Sequence, residues 1–343
     1  MATVSRTDLR RFVERGYRPV PSVLPIALGD PTTAHEPVLA DEVLELLRPR
    51  AGQTVVDCTF GAGGHAQRIV EELGSGGLYI AIDQDPDVRP FFDAFAVGAP
   101  CETRFIRANF AVALEALGQD GVRADGILMD LGISSMQVDR PERGFSYARQ
   151  APLDMRMDPD QSISAATLIA DASEADLARW FREYGEERYA RQIARAIVRR
   201  RAVEPITTTA DLVDVVRSAV PSGALFAGGH PAKRVFQALR IVVNAELELL
   251  PHALESAFAL LAPNGVLAVI SFHSLEDRIV KRFVRARAQG CICPPDMPVC
   301  GCGRTPEGEL LNTRAIMPSA AEAHRNPRSR SARLRAVRKL AAA

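Results

Sequence analysis

Short apolar runs alternate with amphipathic stretches along much of this chain. Five runs predict β-strands, at residues 54–57, 78–83, 104–107, 126–130 and 265–271. Apolar residues at helical spacing separate them, for example over residues 66–73. Strands this apolar, separated by helices, are typical of a parallel sheet that helices cover on both faces. Because crossovers between parallel strands are right-handed, we predict a doubly wound α/β fold with a mostly parallel sheet.

A long stretch without a strand pattern separates the fourth and fifth strands. Helical periodicity within it predicts helices over residues 175–184, 188–201, 209–219 and 236–249. Because one crossover needs only one helix, we predict an inserted helical subdomain at residues 141–231. It interrupts a core built from residues 35–140 and 232–290. We interpret residues 1–34 as a mobile N-terminal extension and residues 291–343 as a cysteine-rich turn followed by a basic tail.

The composition is not that of a membrane-spanning or secreted protein. The chain has 343 residues, 47% of them hydrophobic, which is enough for one large or two ordinary domains. No run reaches the roughly eighteen apolar residues that span a bilayer, and the N-terminus lacks the apolar core of a secretory signal. We therefore expect a cytoplasmic location.

Charge is balanced overall, with 42 basic and 42 acidic residues, but it is unevenly distributed. Residues 188–201 contain six arginines and no acidic residue, and residues 325–339 contain seven basic residues and no acidic one. Local basic segments matter more than the total for binding a polyanion. Each segment alone is typical of a solvated helix face or a tail, but together with the motifs below they favour RNA.

A glycine-rich turn, DCTFGAGGH, begins at Asp57 after the first strand and leads into a helix. Glycines let the backbone approach a ligand closely, and a helix N-terminus offers free amides. Asp83 ends the second strand, where its carboxylate can accept both hydroxyls of a ribose. The turn also satisfies a loose dinucleotide pattern, G-x-G-x-x-A, so an NAD(P)-binding oxidoreductase is an alternative from a different class.

Two features favour a methyltransferase over a dehydrogenase. Asp57 precedes the turn, where it can face a cationic amino-acid moiety but would repel a pyrophosphate. Asp130 ends the fourth strand in DLGISS, at the sheet edge where a methyl acceptor would lie. These residues predict S-adenosylmethionine as the cofactor. A catalytically inactive RNA-binding scaffold is a third hypothesis, which methyl incorporation into RNA would distinguish from an enzyme.

Longer motifs extend well beyond the glycine turn: HEPVL, DCTFGAGGH, AIDQD, GILMDLGISSMQVD, RGFSY, PLDMRMDP, YGEERYARQIARAIV, FQALRIVVNAELE and SFHSLEDRIVKRF. Together they resemble the RsmH (MraW) family over about residues 35–290, whereas residues 1–34 and the cysteine-rich stretch lie outside these motifs. Members of that family are bacterial enzymes that methylate N4 of a cytidine in the decoding centre of 16S ribosomal RNA. The resemblance implies a class I, Rossmann-like methyltransferase with an inserted helical domain. It also implies S-adenosylmethionine as cofactor and 16S rRNA, within the small ribosomal subunit, as partner.

The resemblance, carried over motif by motif, places the cofactor site on seven residues. They are Gly63, Gly64, His65, Asp83, Phe110, Asp130 and Gln137. From the residues themselves, Asp83 suits the ribose and Phe110 could pack on the adenine. The role of Gln137 comes only from the family.

Asp130 is the candidate catalytic residue, either by positioning the acceptor or by supporting the cofactor. The exocyclic amine of cytosine is a poor nucleophile, so an enzyme must hold it in line with the methyl-bearing sulfonium. The loop after Asp130 departs from the Asp/Asn-Pro-Pro-aromatic sequence of many amino-methyltransferases, which leaves Phe145 and Tyr147 as candidates for stacking on the base. Methylation at carbon 5 would instead need a cysteine nucleophile, and we interpret Cys58 and Cys101 as structural.

Ser271, His273 and Ser274, with acidic residues nearby, suggest a hydrolase triad. No Gly-x-Ser-x-Gly elbow precedes them. We interpret them as a strand end and a helix cap that line the site.

Arginines recur three and four residues apart in the inserted segment, at Arg188, Arg191, Arg195 and Arg199. That spacing puts them in one stripe of a helix, and we predict that the stripe contacts RNA phosphates.

Four cysteines cluster near the C-terminus, at Cys291, Cys293, Cys300 and Cys302. Such clustering without a signal peptide suggests a metal rather than disulfides, but the Cys-x-Cys spacing is not the usual Cys-x-x-Cys. A structural zinc ion therefore stays an open alternative. The predicted active site contains no metal, because methyl transfer from a sulfonium needs no Lewis acid.

Overall fold

The computed structural model describes residues 37–223, 230–293, 299 and 301–341. Within these residues the chain forms two compact units. The sheet unit consists of the described parts of Ala27–Gly132 and Leu249–Ala343, and the helical unit of those within Ile133–Glu248. No helix in these ranges is both long and apolar enough to cross a membrane.

One sheet organises the sheet unit. Its strands are β1 (Thr54–Asp57), β2 (Leu78–Asp83), β3 (Glu102–Arg107), β4 (Ala124–Asp130), β5 (Leu261–Ser271), β6 (Gly308–Leu310) and β7 (Arg333–Lys339). Their order is β3-β2-β1-β4-β5-β7-β6. The first five pair in parallel, whereas β7 is antiparallel to both of its neighbours. This confirms the predicted α/β fold with a mostly parallel sheet.

Helices flank the sheet and build the helical unit. The α-helices of the described residues are α1 (Ala40–Leu47), α2 (Gly64–Leu73), α3 (Arg89–Gly98), α4 (Phe110–Gln119), α5 (Ser135–Asp139), α6 (Ala165–Asp171), α7 (Glu174–Glu183), α8 (Ala190–Arg201), α9 (Thr209–Ala219), α10 (Lys233–Val243), α11 (Glu246–Leu260), α12 (Ser274–Ala288) and α13 (Ala320–Arg325). The consecutive residues Ile127, Leu128 and Met129 of β4 are all fully buried. Because successive side chains of a strand point to opposite faces, both faces of the sheet are covered there.

The C-terminal segment is a sheet strand, so our interpretation of it as a basic tail was wrong. β7 lies between β5 and β6, and its residues Leu334, Ala336 and Val337 are fully buried. Its basic and apolar residues alternate only from Arg333 to Ala336, a stretch of period two that is too short to predict a strand among the clustered charges. The three-residue strand β6 was also missed.

The basic residues of β7 bind groups of the same unit. Arg335 and Arg333 both donate to the buried carboxylate of Asp277 in α12, with Arg335 Nε 2.7 Å from Oδ1. Lys339 Nζ donates to three backbone carbonyls at the end of α11 and the start of β5. Because Arg333, Arg335 and Lys339 bond groups of the fold itself, these three basic residues are not an argument for RNA binding.

The helical unit has an apolar core of its own. Phe181 of α7, Ile193 and Ile197 of α8, and Val216 of α9 are all fully buried. The helices predicted at residues 175–184, 188–201 and 209–219 are present as α7, α8 and α9, with bounds that differ by at most two residues.

The helix predicted at residues 236–249 is two helices, because the chain turns at Asn244 and Ala245. α10 ends at Val243 and α11 begins at Glu246. The Asn244 side-chain carbonyl accepts the Met157 N–H at 2.8 Å, and its amide donates to the Met155 carbonyl at 2.9 Å. Ala245 has a φ of +50°. Contacts to a distant loop, which local periodicity does not encode, therefore break the helix.

Replacing Arg335 by Met should destabilise the protein by about 3 kcal/mol, because removing one partner of a buried ion pair leaves an undercompensated charge. Only the more exposed Arg333 would then remain on Asp277. Arg338→Met is the matched control, since Arg338 lies in the same strand and pairs with the exposed Glu309, where such a pair contributes about 0–1 kcal/mol. Urea unfolding at neutral pH measures both variants. Equal losses of unfolding free energy in the two variants would show that the buried Asp277 carboxylate does not need Arg335 for its charge compensation.

Candidate cofactor site at the carboxyl edge of the sheet

Three adjacent strands each end in an aspartate. Asp83 ends β2, Asp57 ends β1 and Asp130 ends β4, in the spatial order β2-β1-β4. Because these strands are parallel, their carboxyl ends meet at one edge of the sheet, where open α/β folds form their binding crevices. The structure thus brings Asp83 and Asp130, both predicted site residues, to the same edge.

The Asp57 carboxylate is buried inside the glycine turn, where both of its oxygens accept hydrogen bonds from the protein, and that it faces a cationic ligand stays a prediction. Its Oδ2 accepts the Tyr79 hydroxyl at 2.6 Å, and its Oδ1 accepts the Thr59 backbone N–H at 3.0 Å. The Thr59 hydroxyl oxygen in turn accepts the backbone N–H of Asp130 at 2.7 Å. Asp57 and Thr59 therefore tie the turn after β1 to the end of β4. Apart from the polar residues of DCT, no sequence pattern pointed to this role.

Asp83 holds the same turn from the other side. Its Oδ2 accepts the Gly61 N–H at 3.0 Å, and its Oδ1 accepts the Asp85 N–H at 2.9 Å. Each oxygen keeps a second lone pair, so the carboxylate can still accept two ribose hydroxyls. Burial raises the pKa of Asp83 to about 7, despite the opposing effect of both hydrogen bonds.

Asp130 and His65 lie close together with polar atoms left unbonded. His65 Nε2 is 3.8 Å from Asp130 Oδ2, beyond hydrogen-bonding distance. Among the residues that the structure describes, neither Asp130 Oδ1 nor His65 Nε2 finds a hydrogen-bond partner, although both atoms are buried. Buried polar atoms are nearly always bonded, so these two atoms fit the polar groups of a ligand.

Burial and neighbouring carboxylates set the charges at this edge. Burial, followed by the charges of Asp57 and Glu276, raises the pKa of Asp130 to about 8. Burial, followed by the charge of Arg68, lowers the pKa of His65 to about 4, so its imidazole is neutral near pH 7. Clustered acids beside a neutral histidine favour a cation and oppose a pyrophosphate. The donor set therefore fits the sulfonium of S-adenosylmethionine, and the NAD(P) alternative is not supported.

Gly63 and Gly64 keep side chains away from the start of α2. Gly63 has a φ of +81°, and a Cβ there would lie 3.0 Å from the Phe60 ring. A Cβ on Gly64 would lie 3.1 Å from Pro37. The first N–H groups of α2 have no partner within the helix, so a ligand that approaches this bare backbone can bond them.

Phe110 and Gln137 lie in different units. Phe110 is half-buried and begins α4, directly after its cap residue Asn109, whose side-chain amide donates to Gln84 Oε1 at 3.0 Å. Gln137 belongs to the helical unit, where its Oε1 accepts the Ser134 backbone N–H at 3.1 Å and completes a capping box at α5. Gln137 therefore has a local structural role in the cap of α5.

Of the two candidate aromatic residues for base stacking, only Tyr147 is partly exposed. Phe145 is 7% exposed and belongs to the core of the helical unit, so its candidacy was wrong. Tyr147 is half-buried and stacks on the His230 imidazole, with ring centroids 4.5 Å apart and planes 12° apart.

The residues that suggested a hydrolase form a strand end and a helix cap, as interpreted. Ser271 ends β5 and is buried. His273 caps α12, and Glu276 Oε2 accepts the His273 backbone N–H at 3.2 Å. Cys58 is also buried, which raises the pKa of its thiol well above the usual value. Such a thiol is a poor source of the thiolate that carbon-5 methylation requires.

The predicted arginine stripe lies on the exposed side of α8, with one exception. The exposed arginines of this helix at that spacing are Arg191, Arg195 and Arg199. Arg188 precedes the helix, and its guanidinium lies 5.7 Å from the ring centroid of Tyr189. Arg195 and Arg199 line a groove of about 530 Å³ whose other wall includes Ser218 at the end of α9. Arg195 also contacts Glu174, with Nε 3.5 Å from Oε1.

Fold and site together define the class of this protein. A sheet of this order, with an antiparallel β7 between β5 and β6, carries a glycine turn after β1 and a cluster of aspartates at the ends of β1, β2 and β4. The protein is a class I methyltransferase that depends on S-adenosylmethionine.

Comparisons with known proteins identify the family. The family model described as the MraW methylase family matches residues 32–340. The chain is 48% identical over 310 residues to the protein named Ribosomal RNA small subunit methyltransferase H of Heliobacterium modesticaldum, covering 89% of this chain and 98% of that one. It is 50% identical over 307 residues to the protein of the same name of Syntrophotalea carbinolica, with coverage of 89% and 98%. Its fold is also similar to that of a methyltransferase homolog protein from Pyrococcus horikoshii, with a TM-score of 0.41 and 12% identity over 98% of this chain and 83% of the other.

The chain belongs to the MraW methylase family. The match reaches residue 340, well beyond the last motif used above. The cysteine-rich stretch, which we placed outside the shared motifs, therefore lies inside the family match, as do β6 and β7.

Asp83→Ala should weaken binding of S-adenosylmethionine about tenfold to a hundredfold, because a hydrogen bond to a charged group is worth about 1.5–3 kcal/mol. Equilibrium titration with the cofactor measures the change. The cofactor affinity of Asp83→Asn should fall between those of the wild type and Asp83→Ala, since asparagine keeps one acceptor oxygen. Asp93→Ala, on the exposed surface of α3, is the control. Unchanged affinity in a folded Asp83→Ala protein would remove Asp83 from the cofactor site.

Proposed function

We propose that the protein methylates N4 of a cytidine in the decoding centre of 16S ribosomal RNA, with S-adenosylmethionine as methyl donor. The family match over residues 32–340 supports this, because the relatives are named for the ribosomal RNA of the small subunit. The N4 atom and the decoding centre follow from the resemblance of the motifs to the family. We also propose that the substrate is RNA within the small ribosomal subunit and that the enzyme acts in the cytoplasm.

The unbonded Oδ1 of Asp130 favours an exocyclic amine over a ring carbon as the methyl acceptor. This atom is buried at the end of β4 and has no hydrogen-bond partner among the described residues. An exocyclic amine brings two N–H donors, one of which Oδ1 can accept. A ring carbon brings no such donor, and the buried thiol of Cys58 is unsuited to activate one.

The cofactor-binding residues have separable roles in this proposal. When bound, S-adenosylmethionine would supply an electrophilic methyl group on its sulfonium. Gly63 and Gly64 let the ligand reach the amides of α2, and Asp83 accepts the ribose hydroxyls. Phe110 packs on the adenine, and His65 Nε2 bonds a polar group of the ligand. Gln137 is included on the resemblance alone.

Asp130 acts on the acceptor. By accepting one N–H of the amine, its Oδ1 draws the nitrogen toward a tetrahedral shape and holds it at attack distance. When the nitrogen gains the methyl group it must lose a proton. The pKa of Asp130 is about 8 in the free protein, and once a bound cation has displaced that proton the carboxylate can accept the proton of the amine.

Arginines of the helical unit bind the RNA backbone in this proposal. Arg191, Arg195 and Arg199 form one exposed stripe of α8, and two of them line the groove beside α9. Guanidinium groups bind phosphate oxygens in a bidentate manner. Contacts of this kind position an RNA without reading its sequence.

Nucleoside analysis by mass spectrometry tests the proposed function. Small subunits from cells that lack this gene, incubated with the protein and S-adenosylmethionine, should gain one N4-methylcytidine per 16S rRNA molecule. Gain of 5-methylcytidine, or methylation of the large-subunit RNA alone, would contradict the proposal.

Asp130→Ala should lower methyl transfer at least about a hundredfold, the lower end of what a positioned acid or base contributes. Cofactor affinity should change only a few-fold if Asp130 acts on the acceptor. A parallel collapse of affinity would reassign Asp130 to cofactor support. Near-normal turnover would eliminate both roles.

Replacing Arg191, Arg195 and Arg199 by Ala should raise the RNA dissociation constant and flatten its salt dependence. Each phosphate contact contributes about 0.7–0.9 to the log–log slope, so three lost contacts should reduce it by about 2 to 3. Filter binding over a range of salt concentrations measures the slope. Cofactor affinity should stay unchanged.

The matched control replaces by Ala three exposed arginines that lie near the amino ends of strands, away from the carboxyl edge of the sheet. They are Arg48, Arg50 and Arg123. Both triple variants lose the same charge, so a general electrostatic effect would flatten both slopes equally. That result, or an unchanged slope in the α8 variant, would show that the stripe is an ordinary solvated helix face and does not bind RNA phosphates.

A further inference from the structure

A loop between α12 and β6 carries three described cysteines that the methyl-transfer site does not use. The loop leaves the helix after Ala288 and returns to it through two hydrogen bonds. Arg304 donates to the Ala286 carbonyl at 2.6 Å, and the Glu307 N–H donates to the Arg287 carbonyl at 2.9 Å. Both ends of the loop are therefore anchored to the end of α12.

The three thiols of this loop converge. The Sγ atoms of Cys291, Cys293 and Cys302 all lie within 4.8 Å of one another. The Sγ atoms of Cys291 and Cys302 are 3.7 Å apart, which is well beyond the ~2.05 Å of a disulfide bond. Tetrahedral ligation with Zn–S distances of about 2.3 Å places neighbouring sulfurs about 3.8 Å apart. The spacing is thus that of thiols around one metal ion.

A backbone N–H group of this loop is also directed at sulfur. The Cys293 N–H points to Cys291 Sγ at 3.4 Å. Gly303 has a φ of +59°, so the chain turns sharply directly after Cys302. N–H groups directed at sulfur are the usual surroundings of metal thiolates.

We propose that Cys291, Cys293 and Cys302 bind a structural Zn²⁺ ion. Thiolate ligands favour soft and borderline metals, Zn²⁺ among them. The fourth ligand is addressed by experiment, because Cys300 lies outside the described residues. Without a metal, converging thiols of which Cys291 is exposed would be prone to oxidation.

The ion stabilises the fold and takes no part in the reaction. α12 has 15 residues and is therefore about 22 Å long. Its first turn, with Glu276, adjoins Asp130, whereas the cysteines follow its last turn. The ion closes the loop that precedes β6, a three-residue strand at the edge of the sheet. Loss of the ion should therefore loosen β6 and leave the cofactor site intact.

Metal analysis of the full-length protein tests this proposal. The protein, purified without chelator under reducing conditions, should contain one zinc ion per chain by inductively coupled plasma mass spectrometry. Cys291→Ser and Cys302→Ser should each lose most of it. Cys101→Ser, which changes a thiol elsewhere in the sheet unit, should keep it. Cys300→Ser reports on the fourth ligand: loss of zinc assigns it to Cys300, and retention leaves the three-thiolate site with another fourth ligand.

Cobalt substitution keeps the test independent of folding defects in the variants. Chelator-treated wild-type protein reloaded with Co²⁺ should show the thiolate charge-transfer and tetrahedral d–d absorption bands, and adding Zn²⁺ should abolish them. Chelation should also lower the melting temperature of the wild type but not that of Cys291→Ser. Reduced protein that contains no zinc and takes up neither ion would overturn the proposal. So would a Cys291–Cys302 disulfide found in freshly purified protein.

Discussion

The clustering of carboxylates at the carboxyl edge of the sheet is the constraint on which the rest of the site depends. Asp57, Asp83 and Asp130 end three neighbouring parallel strands, so the fold itself brings them together. In a low-dielectric environment such groups either hold protons, bind donors or attract a cation. Asp57 binds donors, because it accepts hydrogen bonds from Tyr79 and Thr59. Asp83 and Asp130 have pKa values raised to about 7 and about 8, so both are poised to ionise when a cation binds.

The same constraint explains why the site suits one class of cofactor. A pyrophosphate would add negative charge beside these acids, whereas a sulfonium compensates them. The neutral His65 leaves the balance acidic. The glycine turn is fastened on both sides, by Asp83 to Gly61 and by Thr59 to the backbone of Asp130. Asp83 and Asp130, two of the clustered aspartates, therefore also hold the glycine turn that receives the ligand.

Sequence reasoning succeeded where a pattern is local and failed where the position of a residue depends on contacts with a residue far away in the sequence. Five strands and the helices α7 to α9 follow from hydrophobic periodicity. β7 did not, because the burial of Arg335 makes sense only with Asp277, 58 positions away. The break at Asn244 likewise depends on Met155 and Met157.

The candidate site divides in the same way. Asp83 and Asp130 could be predicted because each ends a recognisable apolar strand, and family motifs pointed to His65. The direction of the Asp57 carboxylate could not be predicted, because a tyrosine on the neighbouring strand decides it. Nor could the burial of Phe145, which depends on how the helices of its unit pack. The unbonded atoms of Asp130 and His65 emerge only from coordinates.

Proton release on cofactor binding is the most direct test of this electrostatic design. Calorimetric titration with S-adenosylmethionine at pH 7.5, in two buffers of different ionisation enthalpy, measures the protons exchanged. With the pKa of Asp130 near 8 in the free protein, the carboxyl is mostly protonated at this pH and a nearby cation should displace its proton. Binding should therefore release protons, and Asp130→Asn should reduce that release. Equal apparent heats in both buffers for the wild type would show that no buried carboxyl ionises, and would contradict a site designed to receive a cation.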